Sequence, residues 1–409
     1  MCGIVGYIGE RLAQPILLNC LRKLEYRGYD SCGIAVSGDE LTVHKDAIRV
    51  EALTKVAPRL AGVAGIGHTR WATHGGPSRV NAHPHLDCSG NIAVVHNGII
   101  TNFRELRQQL TAEGHRFSSE TDTEVIPHLI EKYDTGSLEV AVTAALREIE
   151  GSYAIAVLRA GEQKLVVAKK DSPLVIGIGD RENFVASDVP AFLEYTNRVI
   201  YLEDGDMGVI TKYDIKISGN SHETARKEDK ILWTADEAQK AGYDHFMLKE
   251  IHEQPRVIRN TLAEYVRSLE MTAKQGEIQS IDAGPIIMLA CGTSYHASLI
   301  GKYVFEELLN IPVRVELASE FNHQKSTQSN STAIALTQSG ETADTLRAMK
   351  RLKNEGSRVI AITNVVGSTG SRLAHHTIYT RAGPEISVAA TKTFIAQIMV
   401  LYQMAMSYA

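Results

Sequence analysis

No stretch of the 409-residue sequence stays apolar for the roughly 20 residues a membrane-spanning helix requires, and the first residues lack the basic and apolar regions of a secretion signal. A cytoplasmic location is the default expectation. Lysine and arginine number 43 against 48 aspartates and glutamates, a net charge of −5 with no long basic run, so no nucleic-acid or membrane partner is expected. Cysteine is scarce: Cys2, Cys20, Cys32, Cys88 and Cys291 are scattered, odd in number and never in a C-x-x-C arrangement. That argues for reduced thiols and against a disulfide framework or a zinc knuckle. His83-Pro84-His85 is the one H-x-H, with His68, His74 and His96 nearby, but no cysteine or acidic residue stands at familiar metal-site spacing. These histidines are expected to orient loops by hydrogen bonds, and neither a metal nor a cofactor is expected.

What is present is the composition of an ordinary soluble protein, 44% hydrophobic and 22% charged, in a chain long enough for two or three domains. From Ile4 to about Ser218, short alternating apolar runs recur between turn signals such as Ser37-Gly38-Asp39-Glu40. Helical spacing appears at 102–114, 123–132 and 138–149. Strands in runs with grouped helices predict a layered α+β domain of mainly antiparallel sheets over residues 2–219. Residues 219–230 are polar and charged and 235–255 carry no strand pattern, so 220–281 reads as a linker. From Pro285 the rhythm becomes strand, turn, helix, with continuous apolar strands such as Ile286 to Ala290 and Thr332 to Thr337. That predicts a second domain, 282–409, of α/β type with a parallel sheet and ligands beyond the C-terminal strand ends.

The most informative residue is Cys2. Removal of Met1 is expected, and would leave a thiol and a free α-amine on one residue. The amine titrates near ~7.7 to 8.0 and a free thiol near ~8.5, so the amine can take the thiol proton without a histidine. Alone, Cys2 reads more readily as a small residue opening a buried strand. Four further segments change that balance: Arg27-Gly28-Tyr29-Asp30-Ser31, His68-Thr69-Arg70-Trp71-Ala72-Thr73-His74-Gly75, His96-Asn97-Gly98, and Glu120-Thr121-Asp122-Thr123. Singly, Asn97-Gly98 is a hairpin turn, Asp122 a helix cap, Arg70 a surface charge and Trp71 a core aromatic.

Together with Cys2-Gly3-Ile4-Val5-Gly6, these segments resemble the N-terminal-nucleophile glutamine amidotransferases, and most closely the glutamine–fructose-6-phosphate aminotransferase family. The resemblance runs through nearly the whole chain. It implies an αββα glutaminase domain in which Cys2 attacks the glutamine side-chain amide, and Asn97 and Gly98 form the oxyanion hole. It further implies that Arg70 and Asp122 hold the α-carboxylate and α-ammonium, and that Thr73 and His74 sit on a loop closing over the substrate. Trp71 would report closure to the second domain, and Arg27 would order the surroundings of Cys2.

The second domain resembles the SIS (sugar isomerase) fold of the same family. The resemblance places a sugar phosphate against Ser294, Thr337, Gln338, Ser339 and Thr342, with Cys291, Thr293 and Val388 lining the sugar; Ala390 replaces a serine found in some relatives. Fructose 6-phosphate and glutamine would give glucosamine 6-phosphate and glutamate, in a homodimeric enzyme without a cofactor. A second SIS domain is expected beyond residue 409, so the present chain is expected to be competent for glutamine hydrolysis only. Its last helix, Thr393 to Ala409, is expected to expose an apolar face. Two other readings are an amidophosphoribosyltransferase, which would need a pyrophosphate-binding segment in place of the serine-rich pattern, and a non-catalytic sugar-phosphate sensor, against which an intact Cys2, Arg70, Asn97 and Asp122 weigh.

Overall fold

The computed structural model describes residues 2–38, 40–219, 222–231, 237, 240–275, 285–324 and 331–409. Met1, Asp39 of the expected 37–40 turn and parts of the expected linker lie outside the described residues. The chain divides into two compact units, Met1–Leu232 and Trp233–Ala409.

In the first unit the chain runs β1 (Gly3–Ile8), α1 (Ala13–Lys23), β2 (Ser31–Ser37), β3 (Leu41–Asp46), α2 (Val50–Val56), β4 (Ala64–Arg70), β5 (His85–Leu86) and β6 (Ile92–Ile100). Three helices follow: α3 (Phe103–Ala112), α4 (Val125–Lys132) and α5 (Leu138–Glu148). Then come β7 (Gly151–Arg159), β8 (Leu165–Lys170), β9 (Val175–Ile178), β10 (Asn183–Ala186), β11 (Arg198–Tyr201), β12 (Asp206–Ile210), β13 (Ile215–Gly219), β14 (His222–Glu223) and β15 (Glu228–Lys230). One antiparallel sheet is ordered β15-β11-β9-β10-β1-β4-β2-β3 and the other β14-β13-β12-β8-β7-β6-β5.

Alternation along these strands sends one set of side chains between the sheets and the other set outward. Ile4, Ile66 and Ile176 of the first sheet meet Val95, Ala154 and Val167 of the second in one buried cluster. The outer face of the second sheet, with Val94, Ile155 and Val157, is covered by Leu106, Ile126, Leu129 and Val142 of α3, α4 and α5. Helix α1 covers the first sheet, and Gly65 and Gly67 let it approach: a β-carbon on either would come within 3 Å of Leu17 or Leu21. The result is four layers, α-β-β-α.

The second unit begins with α6 (Phe246–Gln275), a 30-residue helix with Pro255 inside it. The stretch expected to be a linker thus holds β14, β15 and this helix; an interior proline, normally a helix stop, masked its periodicity. There follow β16 (Ile286–Ala290), α7 (Gly292–Leu309), β17 (Val313–Leu317), α8 (Ala318–Phe321), β18 (Thr332–Thr337), α9 (Ala343–Asn354), β19 (Arg358–Thr363), α10 (Thr369–Leu373), β20 (His376–Tyr379) and α11 (Lys392–Tyr408). The sheet is parallel, ordered β17-β16-β18-β19-β20.

Both faces of that sheet are covered, which is why its strands read as continuous apolar runs. Phe305 of α7 and Val400, Leu401 and Met404 of α11 pack on one face, and Phe321 of α8 with Leu346, Met349 and Leu352 of α9 on the other. The last helix therefore does not expose its apolar face, contrary to the expectation from sequence. Val400, Leu401, Met404 and Ala405 are at most 1% exposed, because α7 offers Gly301, whose absent side chain admits Leu401.

Candidate active site

Cys2 immediately precedes β1, at the end of the sheet where β4 finishes, since Gly3 pairs with Thr69. That register brings Cys2 to Trp71: the Trp71 backbone N–H donates to Cys2 Sγ at 3.2 Å, and Sγ lies 3.5 Å from the Trp71 carbonyl. Burial pushes the thiol pKa up, opposed by the Trp71 N–H and by the positive charges of Arg70 and Arg27. The thiol thus keeps its proton until a base removes it.

The Cys2 carbonyl accepts from Arg27 Nε at 3.1 Å and from Asn97 Nδ2 at 3.0 Å. Arg27 is in turn held by Asp188 at 3.3 Å, and Tyr26 donates to the same carboxylate at 2.6 Å. The second hydrogen of the Asn97 amide reaches Ser187 Oγ at 2.8 Å, and Ser187 Oγ also accepts from Ile4 N at 2.7 Å. Ser187 and Asp188 carry no sequence signal of their own. They follow β10, the other neighbour of β1, and reach the site through the sheet order.

Asn97 and Gly98 do not form a hairpin turn. Both lie inside β6, with Asn97 opposite Ala154 and Gly98 opposite Tyr153. Glycine is required there by backbone conformation and by crowding: φ is +138°, and a β-carbon would stand 2.0 Å from the Ser152 carbonyl oxygen. Similarly His68, Thr69 and Arg70 are the end of strand β4, and only Trp71 onward is loop. The Asn-Gly pair and the small, polar composition of these strand ends made them look like turns.

Arg70 is 3% exposed, and burial lowers its pKa. Its guanidinium donates to the carbonyls of His74, Gly75 at 2.9 Å and Gly76 at 3.4 Å, clasping the loop that follows its own strand. Asp122, 4% exposed, accepts from Ile100 N at 2.8 Å, and its other oxygen lies 3.9 Å from His74 Nδ1. His74 also meets the Phe103 ring edge-on at 5.4 Å. Thr73 is exposed, and Trp71, 46% exposed, packs edge-to-face on Tyr29 at 5.6 Å. Cys2, Arg27, Arg70, Trp71, His74, Asn97 and Asp122 are therefore linked by contacts around the point where β1 begins and β4 ends.

Beneath them lie four buried histidines. His68 stacks on His83 at 4.1 Å, His85 Nε2 reaches Thr121 Oγ1 at 3.1 Å, and His96 Nδ1 reaches Thr123 Oγ1 at 2.8 Å. Burial pushes the His68 pKa down to about 3 and lowers those of His83, His85 and His96. They position neighbours by hydrogen bonds, as the sequence suggested.

In the second unit, Cys291 and Thr293 follow β16, and 338–342 follow β18. These are neighbouring strands at which the order of the sheet reverses, the place where open α/β sheets bind ligands. Thr345 Oγ1 lies 3.7 Å from Cys291 Sγ, across the two turns. Thr337 Oγ1 lies 3.2 Å from Thr342 Oγ1 and accepts from Gly340 N at 3.2 Å, while Ser339 Oγ accepts from Glu341 N at 3.1 Å. The Gln338 carbonyl accepts from Asn364 N at 3.1 Å. Ser294 lies in the first turn of α7, 7% exposed, and accepts from Gln397 Nε2 at 2.9 Å. The N-termini of α7 and α9 thus open beside hydroxyl groups, an arrangement suited to an anion. The described contacts do not bring Val388 to these turns; it stands 94% exposed on the loop before α11, with Ala390 nearby.

Residues 68–194 match the glutamine amidotransferase domain model and residues 281–407 the SIS domain model. The glutamine–fructose-6-phosphate aminotransferase (isomerising) of Methanothermobacter thermautotrophicus is 53% identical over 99% of this chain and 69% of that protein. The enzyme of the same name from Thermococcus kodakarensis is 50% identical over 100% and 69%. A solved structure of the phosphoribosylpyrophosphate amidotransferase of B. subtilis aligns at 18% identity over 93% of this chain and 91% of that one, with a TM-score of 0.48. With its thiol at the start of β1, its two domain models in order and half its residues shared with these relatives along nearly its full length, the chain belongs to the isomerising glutamine–fructose-6-phosphate aminotransferase family.

Proposed function

We propose that the first unit hydrolyses the side-chain amide of glutamine and that the released ammonia serves the conversion of fructose 6-phosphate to glucosamine 6-phosphate, with glutamate as the other product. The observation that carries this reading is the seat of Cys2, whose sulfur faces a backbone N–H while its carbonyl is fixed by Arg27 and Asn97.

With Met1 removed, the Cys2 α-amine takes the thiol proton and Sγ attacks the amide carbon. The C–N bond of the resulting tetrahedral species breaks as the amine returns its proton, ammonia leaves, and water cleaves the thioester to glutamate. Asn97 Nδ2 and the Gly98 N–H stabilise the oxyanion. Both hydrogens of the Asn97 amide are engaged within the protein, so this role requires one to exchange its bond to the Cys2 carbonyl or Ser187 for one to substrate. Arg70 takes the α-carboxylate and Asp122 the α-ammonium, with Thr73, His74 and Trp71 on the loop above. In the second unit, Ser294, Thr337, Gln338, Ser339 and Thr342 hold the sugar phosphate, and Cys291 and Thr293 face the sugar.

A homodimer in the cytoplasm is the working form implied by the family resemblance; among the described residues no helix is long and apolar enough to cross a membrane. Glutamate release, measured with and without fructose 6-phosphate, tests the reading. Release stimulated by the sugar phosphate is expected; no release by the wild type would remove the enzymatic function.

A further inference from the structure

Away from the residues assigned to glutamine, the first unit gathers Cys88, His115, His128 and Glu131, whose ligand atoms all lie within 4.8 Å of one another. Three separate segments supply them. Cys88 is on the turn after β5, His115 follows α3, and His128 and Glu131 are three apart on α4, which puts both on one helix face. Cys88 Sγ is 3.4 Å from His128 Nδ1 and 3.6 Å from His115 Nδ1. Glu131 Oε2 is 3.0 Å from His115 Nδ1 and 3.6 Å from His128 Nδ1.

These separations are those of a coordination polyhedron before the ion is added. Tetrahedral zinc, with bonds of about 2.3 Å to sulfur and 2.0 to 2.1 Å to nitrogen or oxygen, has edges of about 3.5 Å between sulfur and nitrogen and about 3.3 Å between nitrogen and oxygen. A set of one thiolate, two imidazoles and one carboxylate suits zinc and is foreign to calcium or magnesium, which take oxygen ligands.

The surroundings fit as well. Glu124 Oε1 stands 4.0 Å from His128 Nε2, beyond hydrogen-bond reach but near enough for its charge to favour an Nε2–H, which leaves Nδ1 as the ligand atom. Phe117 covers the His128 ring at 4.4 Å, and the Arg116 N–H points at Cys88 Sγ from 3.4 Å, where it would stabilise a thiolate. Cys88 is exposed, which leaves the cluster open to an ion from solvent.

We propose that Cys88, His115, His128 and Glu131 form a structural zinc site that ties the turn after β5 to the start of the α3–α4 connection and to α4. Four protein ligands leave no open position, so the ion stabilises rather than catalyses, and its binding displaces the Cys88 thiol proton to solvent. The expectation of a metal-free protein rested on local spacing, which ligands drawn from three segments do not display.

The full chain, stripped with a chelator and titrated with Co²⁺, tests this. The wild type and Cys2→Ala are both expected to show the visible bands of tetrahedral cobalt and a thiolate-to-cobalt charge-transfer band. Cys88→Ser is expected to lose the charge-transfer band, and His115→Gln to weaken cobalt binding at least tenfold. Zinc is expected to raise the melting temperature of the wild type and not that of Cys88→Ser. Absence of the charge-transfer band in the wild type, its persistence in Cys88→Ser, or its loss in Cys2→Ala would each overturn the proposal.

Discussion

The side-chain amide of Asn97 is oriented by His68: His68 Nε2 lies 2.9 Å from Asn97 Oδ1 and 3.1 Å from the His96 carbonyl. Two acceptors around one ring nitrogen require that nitrogen to carry the proton, so Oδ1 faces His68 and the NH₂ faces Cys2. Asn97→Ala is expected to lower kcat for glutamine hydrolysis by about 10² to 10³, the usual loss for one oxyanion donor, with little change in KM. Steady-state kinetics on a variant with unchanged circular dichroism would decide; a change confined to KM would move Asn97 out of the oxyanion role.

Cys2→Ala is expected to abolish glutamine hydrolysis while leaving the melting temperature within a few degrees of the wild type. A thiol-directed glutamine analogue should label the wild type at Cys2 and leave the variant untouched, as read by peptide mass spectrometry. Turnover by the variant would place the nucleophile elsewhere.

At Gly98 the prediction concerns stability as well as activity. A β-carbon 2.0 Å from the Ser152 oxygen on a residue at φ +138° cannot be relieved by a side-chain rotation, because the obstacle is backbone. Gly98→Ala should cost about 1 to 3 kcal/mol or more and displace β6 from β7. A denaturant midpoint equal to that of the wild type would contradict this strand geometry.

The buried histidines set the response to acid. His68 titrates at about 3 in the folded chain, with His83, His85 and His96 also lowered by burial, whereas an unfolded histidine titrates near ~6.5. Between those values the unfolded chain binds protons that the folded chain refuses, so stability rises with pH across the window and is lost as pH falls through it. Each histidine adds a limiting slope of about 1.4 kcal/mol per pH unit. Urea midpoints at pH 7, 6 and 5 should fall in that order, and less steeply in His68→Gln.

For the second unit, Ser339→Ala is expected to weaken fructose 6-phosphate binding by about tenfold, in line with the loss of one hydrogen bond of roughly 1.5 kcal/mol to a charged group. Calorimetric titration measures it directly. Affinity equal to the wild type would detach the 338–342 turn from the phosphate.

How legible all this was depended on whether the chemistry was local. Cys2 could be singled out because the chemistry proposed for it follows from its position in the chain, not from its surroundings. Strand 286–290 and its turn were legible because a sheet covered on both faces writes itself as an unbroken apolar run. Asn97-Gly98 misled because the dipeptide that favours hairpins also fits a strand position with positive φ, and the difference lies in Ser152, 54 residues away by numbering. Ser187 and Asp188 are ordinary surface residue types that matter only because β10 lies beside β1. The 393–409 helix was read as exposed for the same reason: its partner, α7, lies some 90 residues earlier in the sequence.

The Arg70 clasp has a thermodynamic corollary. Its Nη2 group is committed to the carbonyls of His74 and Gly75, so on the role proposed above a carboxylate held bidentately competes with the loop for that group. On that proposal, glutamine binding at Arg70 and release of the 74–75 carbonyls are linked equilibria, each favouring the other by an equal free energy. The arginine would act as a latch that the amino acid itself undoes.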